Sequence, residues 1–170
     1  FDTQEEPGDI IITPTRPNGW DDGGTYRRMH QHEWDNQQWQ PWNCYITPLG
    51  AINTVNRVKA QLDNDALPVG DLKDPMIAEL RALRALWYSM LLDTHGNVPI
   101  VDTWTDELPK QATRQEVYNF VVKELTEALP NLSEANDGTT YGRMNKWAAL
   151  ACLTRVYLNS ELYTGTPDWD

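Results

Sequence analysis

From Pro48 onward apolar residues recur every three or four positions without strict alternation, and that period restricts the chain to helices packed on helices. Pro, Gly and Asn interrupt the pattern and separate successive helices. Ala51, Ile52, Val55, Val58 and Leu62 share one face of a helix predicted over 48–62. Asp74-Pro75, a cap residue followed by a first-turn proline, predicts a second helix to Leu92, with Met76, Leu80, Leu83, Trp87 and Met90 or Leu91 as its core face. His95-Gly96-Asn97 supplies a left-handed stop, and residues 97–112, with Pro99 and Pro109, read as an extended crossing segment. Thr113-Arg114-Gln115-Glu116 is a capping box that opens a third helix closing at Pro130. Asn145 caps a fourth, to about Ser160, whose run of small residues Ala148 to Cys152 predicts a central position with Trp87 buried nearby. The expected fold is mostly α: two tetratricopeptide-like helical hairpins over 48–160, an irregular aromatic-rich segment over 1–47 with at most one short helix, and the start of a next element over 161–170.

Residues 1–47 hold four of the eight Trp, and the chain has seven Tyr against two Phe. Aromatic rings with a polar edge suit surfaces that grip a ligand, whereas a purely apolar core more often uses Phe. Trp20, Trp34, Trp39 and Trp42 lie in a polar, proline-broken stretch with no evident amphipathic face to bury them. Flat indole faces stack on the apolar faces of sugar rings, and Asn18, Asp21, Arg27, Arg28 and Asn43 are near enough in sequence to bind hydroxyls. The alternative for each Trp is a ring that plugs a gap over the helical core.

Charge and motifs exclude several classes. A formal charge of -11, from 14 Lys plus Arg against 25 Asp plus Glu, leaves no surface suited to phosphate backbones, so nucleic acid is not an expected partner. No stretch approaches a membrane span. Ser89, Ser133 and Ser160 stand outside any nucleophile turn, and no two carboxylates are singled out as a catalytic pair, so no catalytic residue and no cofactor is expected. His30 and His32 with Asp35 lack a further ligand nearby and read as surface residues rather than a metal site. Asp21-Asp22-Gly23-Gly24 lacks the alternating ligands of a calcium loop and reads as a tight turn. Cys44 and Cys152 read as buried small hydrophobes, with a single long-range bridge left open.

Four segments carry a family resemblance. The first is Thr15-Arg16-Pro17-Asn18-Gly19-Trp20-Asp21-Asp22-Gly23-Gly24 with Tyr26-Arg27 and His30-Gln31-His32-Glu33-Trp34. The second is Glu79-Leu80-Arg81-Ala82-Leu83-Arg84-Ala85-Leu86-Trp87-Tyr88 running into Asp93-Thr94-His95-Gly96-Asn97-Val98-Pro99. The others are Thr113 to Tyr118 and Asn145 to Leu158. In order and spacing these resemble the SusD/RagB family. The resemblance implies a mostly helical, non-catalytic lipoprotein on the outward face of the outer membrane, which binds an oligosaccharide, or in some members a peptide, and delivers it to a SusC-like TonB-dependent transporter. It further implies that 1–170 is an N-terminal portion of one SusD-like domain, with a lipid anchor and a remaining C-terminal part outside this chain. Trp20, Arg27, Trp39, Trp42 and Asn43 fall in the segment where starch-binding relatives contact sugar. A helical-repeat scaffold that binds a peptide or partner protein is the alternative, with the Trp residues as core and interface anchors.

Overall fold

The computed structural model describes residues 2–16, 18 and 20–169. Pro17 and Gly19 of the first family-like segment, and Phe1, lie outside them. Among the described residues there are seven α-helices: α1 (Asp2–Glu5), α2 (Thr25–His30), α3 (Trp39–Asp63), α4 (Lys73–Thr94), α5 (Arg114–Ala128), α6 (Lys146–Leu158) and α7 (Ser160–Thr164). No strand occurs among them, only an isolated antiparallel bridge between Pro99 and Gln111. The chain divides into two compact units, residues 1–47 and 48–170, and α3 runs through the boundary.

In the first unit the aromatic-rich segment holds more helix than its texture predicts. α3 begins at Trp39, nine residues before the Pro48 start read from sequence, and Pro48 lies inside it. Proline has a helix-compatible φ at either place; inside a helix it costs one backbone hydrogen bond, so the residue alone does not distinguish a start from an interior position. The Asp21 to Gly24 stretch forms the expected tight turn: Gly23 N donates to Asp21 Oδ1 at 2.8 Å and Gly24 N to Asp22 Oδ1 at 3.0 Å. Gly23 and Gly24 both have positive φ, 65° and 79°, a region that glycine enters without steric cost.

In the second unit the phase of α4 differs from the expected one. Its buried face is Ala78, Ala82, Ala85, Tyr88, Leu91 and Leu92: the C-terminal half keeps Leu91 of the expected face together with Tyr88 and Leu92, whereas Met76, Leu80, Leu83 and Trp87 are half-buried. α4 meets α5 through Arg81, Arg84 and Tyr88, which reach Glu124 and Phe120, and α5 itself buries Val117, Val121, Leu125 and Ala128. The larger Met76, Leu80 and Leu83 are displaced to the flank, where with Val58, Leu62 and Leu67 they wall a cavity of ≈ 290 Å³. The N-terminus of α4 also departs from the Asp74 cap: a 3-10 turn, Gly70–Leu72, leads into the helix at Lys73, with no side-chain cap.

The other helix signals are realised by direct geometry. Glu116 N donates to Thr113 Oγ1 at 3.3 Å while Thr113 N donates to Glu116 Oε2 at 2.7 Å, a complete capping box. Asn145 Oδ1 accepts from Ala148 N at 2.9 Å, and Gly96 stops α4 with φ 71°. A Cβ at Gly96 would meet only the flexible end of the Arg114 side chain, so it is the positive φ that requires glycine there. α6 is not central among the described residues: Ala149, Leu153 and Val156 are buried, while Trp147, Ala151 and Leu158 are exposed. Residues 97–112 double back rather than cross, since Pro99 bridges Gln111 and Ala112 N donates to Val98 O at 3.0 Å.

Candidate functional site

The first unit is braced by polar side chains that leave its rings outside. Asp22 caps the approach to α2, accepting from Tyr26 N at 2.7 Å and from Thr15 Oγ1 at 3.2 Å. The Tyr26 amide, ahead of the other donors, holds the Asp22 carboxyl below its ordinary value. Arg28 donates through Nε to Gln38 Oε1 at 3.2 Å and through Nη1 to Gly23 O at 3.1 Å, which ties α2 to the residue just before α3. Gln38 is buried, and its Oε1 also accepts from Asp35 N at 3.2 Å. Of two adjacent arginines, then, Arg28 is structural and Arg27 is exposed.

Trp39 and Trp42 are 50% and 60% exposed. With the exposed Asn43 and Ile46 they occupy positions i, i+3, i+4 and i+7 of α3 and so share one face of that helix. The opposite side carries buried Gln40 and half-buried Cys44, whose Sγ donates to Thr3 Oγ1 at 3.0 Å. Trp20, half in solvent, sits against Tyr26 with ring centroids 5.4 Å apart. Trp39, Trp42 and Asn43 therefore form one helical platform, whereas Trp20 and Arg27 belong to the α2 region. Chemically the platform offers two flat apolar faces beside an amide that can both donate and accept.

His32 Nε2 lies 2.9 Å from Pro7 O, its ring tilts against Trp34, and His30 Nδ1 lies 3.2 Å from Asp9 Oδ1. The two imidazoles are thus engaged with different parts of the unit. Among the described residues no group of three or more His, Cys, Asp and Glu side chains converges as a metal site would require. Cys44 and Cys152 are free thiols, each half-buried rather than buried as the sequence suggests. Burial pushes the Cys152 thiol up.

The second unit contains a buried ionic frame that the sequence reading missed. Arg84, 3% exposed in the middle of α4, donates to Glu124 Oε2 of α5 through Nε at 2.9 Å and Nη2 at 2.5 Å. Its Nη1 donates to Asn56 Oδ1 at 2.7 Å and to the Asp102 carbonyl at 2.6 Å. Arg81 binds the other oxygen of Glu124 at 2.7 Å and reaches Glu127. The legible signal was Arg81 and Arg84 three apart on one helix with Glu124 and Glu127 three apart on the next. In sequence it is hidden by the apolar neighbours of Arg84. Tyr88 edges onto Phe120 at 5.1 Å, and burial pushes its phenol up.

The described residues thus form a mostly helical architecture that leaves several large aromatic rings in solvent. A family model described as SusD-like, starch-binding associating with outer membrane, matches residues 13–158, and the chain belongs to that family. The starch-binding protein SusD of Bacteroides thetaiotaomicron is 35% identical over 92 residues, 54% of this chain and 16% of that protein. A SusD-like protein of Bacteroides ovatus is 31% identical over 122 residues, 69% of this chain and 21% of that protein. The matched stretches thus span about a sixth and a fifth of these relatives' lengths. Among solved structures, a laminarin binding SusD-like protein superposes with a TM-score of 0.75 at 22% identity, covering 95% of this chain and 38% of that one. A structure with xylogluco-oligosaccharide gives 0.72 at 21% identity, covering 98% of this chain and 35% of that one. These two likenesses establish the fold.

Proposed function

We propose that this chain belongs to a non-catalytic glycan-binding protein that faces outward on the outer membrane, captures an oligosaccharide, and delivers it to a SusC-like TonB-dependent transporter. The observation that carries the reading is the exposed Trp39, Trp42 and Asn43 face of α3 in a chain of the SusD-like, starch-binding family. On this reading the two indoles stack on pyranose faces, Asn43 takes hydroxyl hydrogen bonds, and Trp20 and Arg27 contact the same glycan from the α2 region. The names of two fold neighbours, one laminarin binding and one with a xylogluco-oligosaccharide, support a neutral glycan as ligand. We propose further that residues 1–170 form the front portion of one SusD-like domain and that a lipid anchor outside this chain holds the protein to the membrane. Binding in place of cleavage means that affinity rests on ring stacking and hydroxyl contacts, with no bond broken.

Affinity electrophoresis in gels that contain starch, laminarin or xyloglucan tests the reading. Retention of the protein by at least one glycan, weakened by Trp39→Ala and by Trp42→Ala at unchanged melting temperature, is the expected result. Hydrolysis products released from the retaining glycan would overturn the non-catalytic part. Full retention by both variants would return the two rings to a structural role.

A further inference from the structure

The buried frame of the second unit has an unusual target. Its side chains bind the backbone of one irregular stretch. Tyr88 Oη donates to Pro99 O at 3.2 Å and accepts from Val101 N at 2.7 Å. Asn56 Nδ2 donates to Val101 O at 2.9 Å and to Thr103 O at 3.3 Å, and Arg84 holds Asp102 O. Beyond the loop, Gln111 Nε2 donates to Asn97 O at 3.0 Å and Ala112 returns to Val98. Both ends are therefore clamped, and the residue that leaves the clamp is Trp104, 59% exposed. A buried ion pair is on average no more stabilising than apolar packing, so its place here is better explained by what it positions than by stability. Groups that bind ligand work best when neighbouring side chains hold their backbone rigid.

We infer that Trp104 is a second glycan-contacting ring, remote in sequence from α3, held in place by Arg84, Asn56 and Tyr88 as positioning residues and suited to a neutral sugar. The inference rests on the glycan-binding reading above. Trp104 stands between Thr103 and Thr105, and although Leu108 of the same loop is also exposed, an indole among polar neighbours has the form of a sugar platform and not of a contiguous apolar patch for a protein partner. Asp102, Asp106 and Glu107 are exposed beside it, and among the described residues no ion pair engages them. Carboxylates accept hydrogen bonds from sugar hydroxyls and are shorter and stronger acceptors than neutral groups. They also repel uronates, as does the chain's formal charge of -11, so the sugar selected is uncharged.

The test uses the full chain in gels of laminarin, xyloglucan and polygalacturonate, with Trp104→Ala, Trp104→Phe and Trp42→Ala run beside the wild type. Trp104→Ala should weaken retention on the neutral glycan about tenfold at unchanged melting temperature, and Trp104→Phe should recover most of it. In the wild type, the retaining glycan should protect Trp104 from oxidation by N-bromosuccinimide, read by peptide mass, which keeps the test open should the alanine variant misfold. Unchanged retention of Trp104→Ala with weakened Trp42→Ala overturns the Trp104 site and leaves the family reading standing. A wild type retained by none of the glycans overturns both, and equal retention on polygalacturonate overturns the neutral-sugar assignment. Loss of a protein partner from Trp104→Ala with glycan retention intact also overturns it, in favour of a protein-binding loop.

Discussion

The two units place their polar and aromatic residues in opposite ways. In residues 1–47 the large rings of Trp39 and Trp42 stand in solvent on one helical face, while Gln38, Arg28 and Asp22 brace the turns behind them. In residues 48–170 the charged groups go inside: Arg84 and Glu124 are buried between α4 and α5, with four of the arginine's five N–H donors engaged by Glu124, Asn56 and Asp102. The difference teaches that exposure of an aromatic and burial of a charge can serve one end, the fixed presentation of a surface. In the first unit a helix supplies the rigidity. In the second a loop has no internal ladder of hydrogen bonds, so buried side chains must satisfy its backbone.

The largest effect should come from breaking the buried frame. Glu124→Ala leaves Arg84 as an uncompensated buried charge and should cost about 3 to 5 kcal/mol, read by urea unfolding. A loss under about 1 kcal/mol would show that water replaces the carboxylate and that the frame is not closed. Next, Leu91→Ala, at a fully buried position, should cost roughly 2 to 5 kcal/mol, and Leu83→Ala clearly less because its side chain already borders a cavity of ≈ 290 Å³. Equal losses would return Leu83 to the core, where the sequence pattern places it.

A pH dependence comes from α7. Tyr163 donates to Asp93 Oδ1 at 3.0 Å, and burial, with the Asp93 charge behind it, pushes the phenol from 10.0 up to about 12. The unfolded chain then releases this proton before the folded one does. Its stabilisation is complete below pH 10.0 and is lost as the pH rises towards about 12. Melting temperature should fall across that interval, and Tyr163→Phe should start lower but fall less steeply; parallel curves would discard the assignment. The smallest stability effect belongs to the exposed platform, where Trp42→Ala should move unfolding by no more than about 0.5 kcal/mol. A loss of several kcal/mol would place that ring in the core and collapse the contrast between the units.

Much of the secondary structure was legible, for local reasons. The Thr113 to Glu116 box and the Asn145 cap need only backbone amides within one turn, and Gly96 needs only a positive φ that few other residues tolerate. Trp39 and Trp42 stood out with Trp20 and Trp34 because a polar stretch rich in Trp is unusual, and the family resemblance set them with Asn43 among the expected sugar contacts. Their arrangement on one face was not visible, because Pro48 concealed that α3 extends back to Trp39.

The amino-acid sequence alone determined that the chain is helical, where α5 and α6 begin, and which rings stand out from a polar background, because period, capping and composition are properties of neighbours along the chain. Tertiary structure alone decided which face of α4 is buried. Apolar residues cover more than half of that helix, so several phases satisfy the pattern, and the neighbours that α4 meets in the fold select among them. It also decided that Arg84 turns inward, since a charge is held inside only where Glu124, Asn56 and the Asp102 carbonyl meet it, and those partners come from three separate stretches of chain.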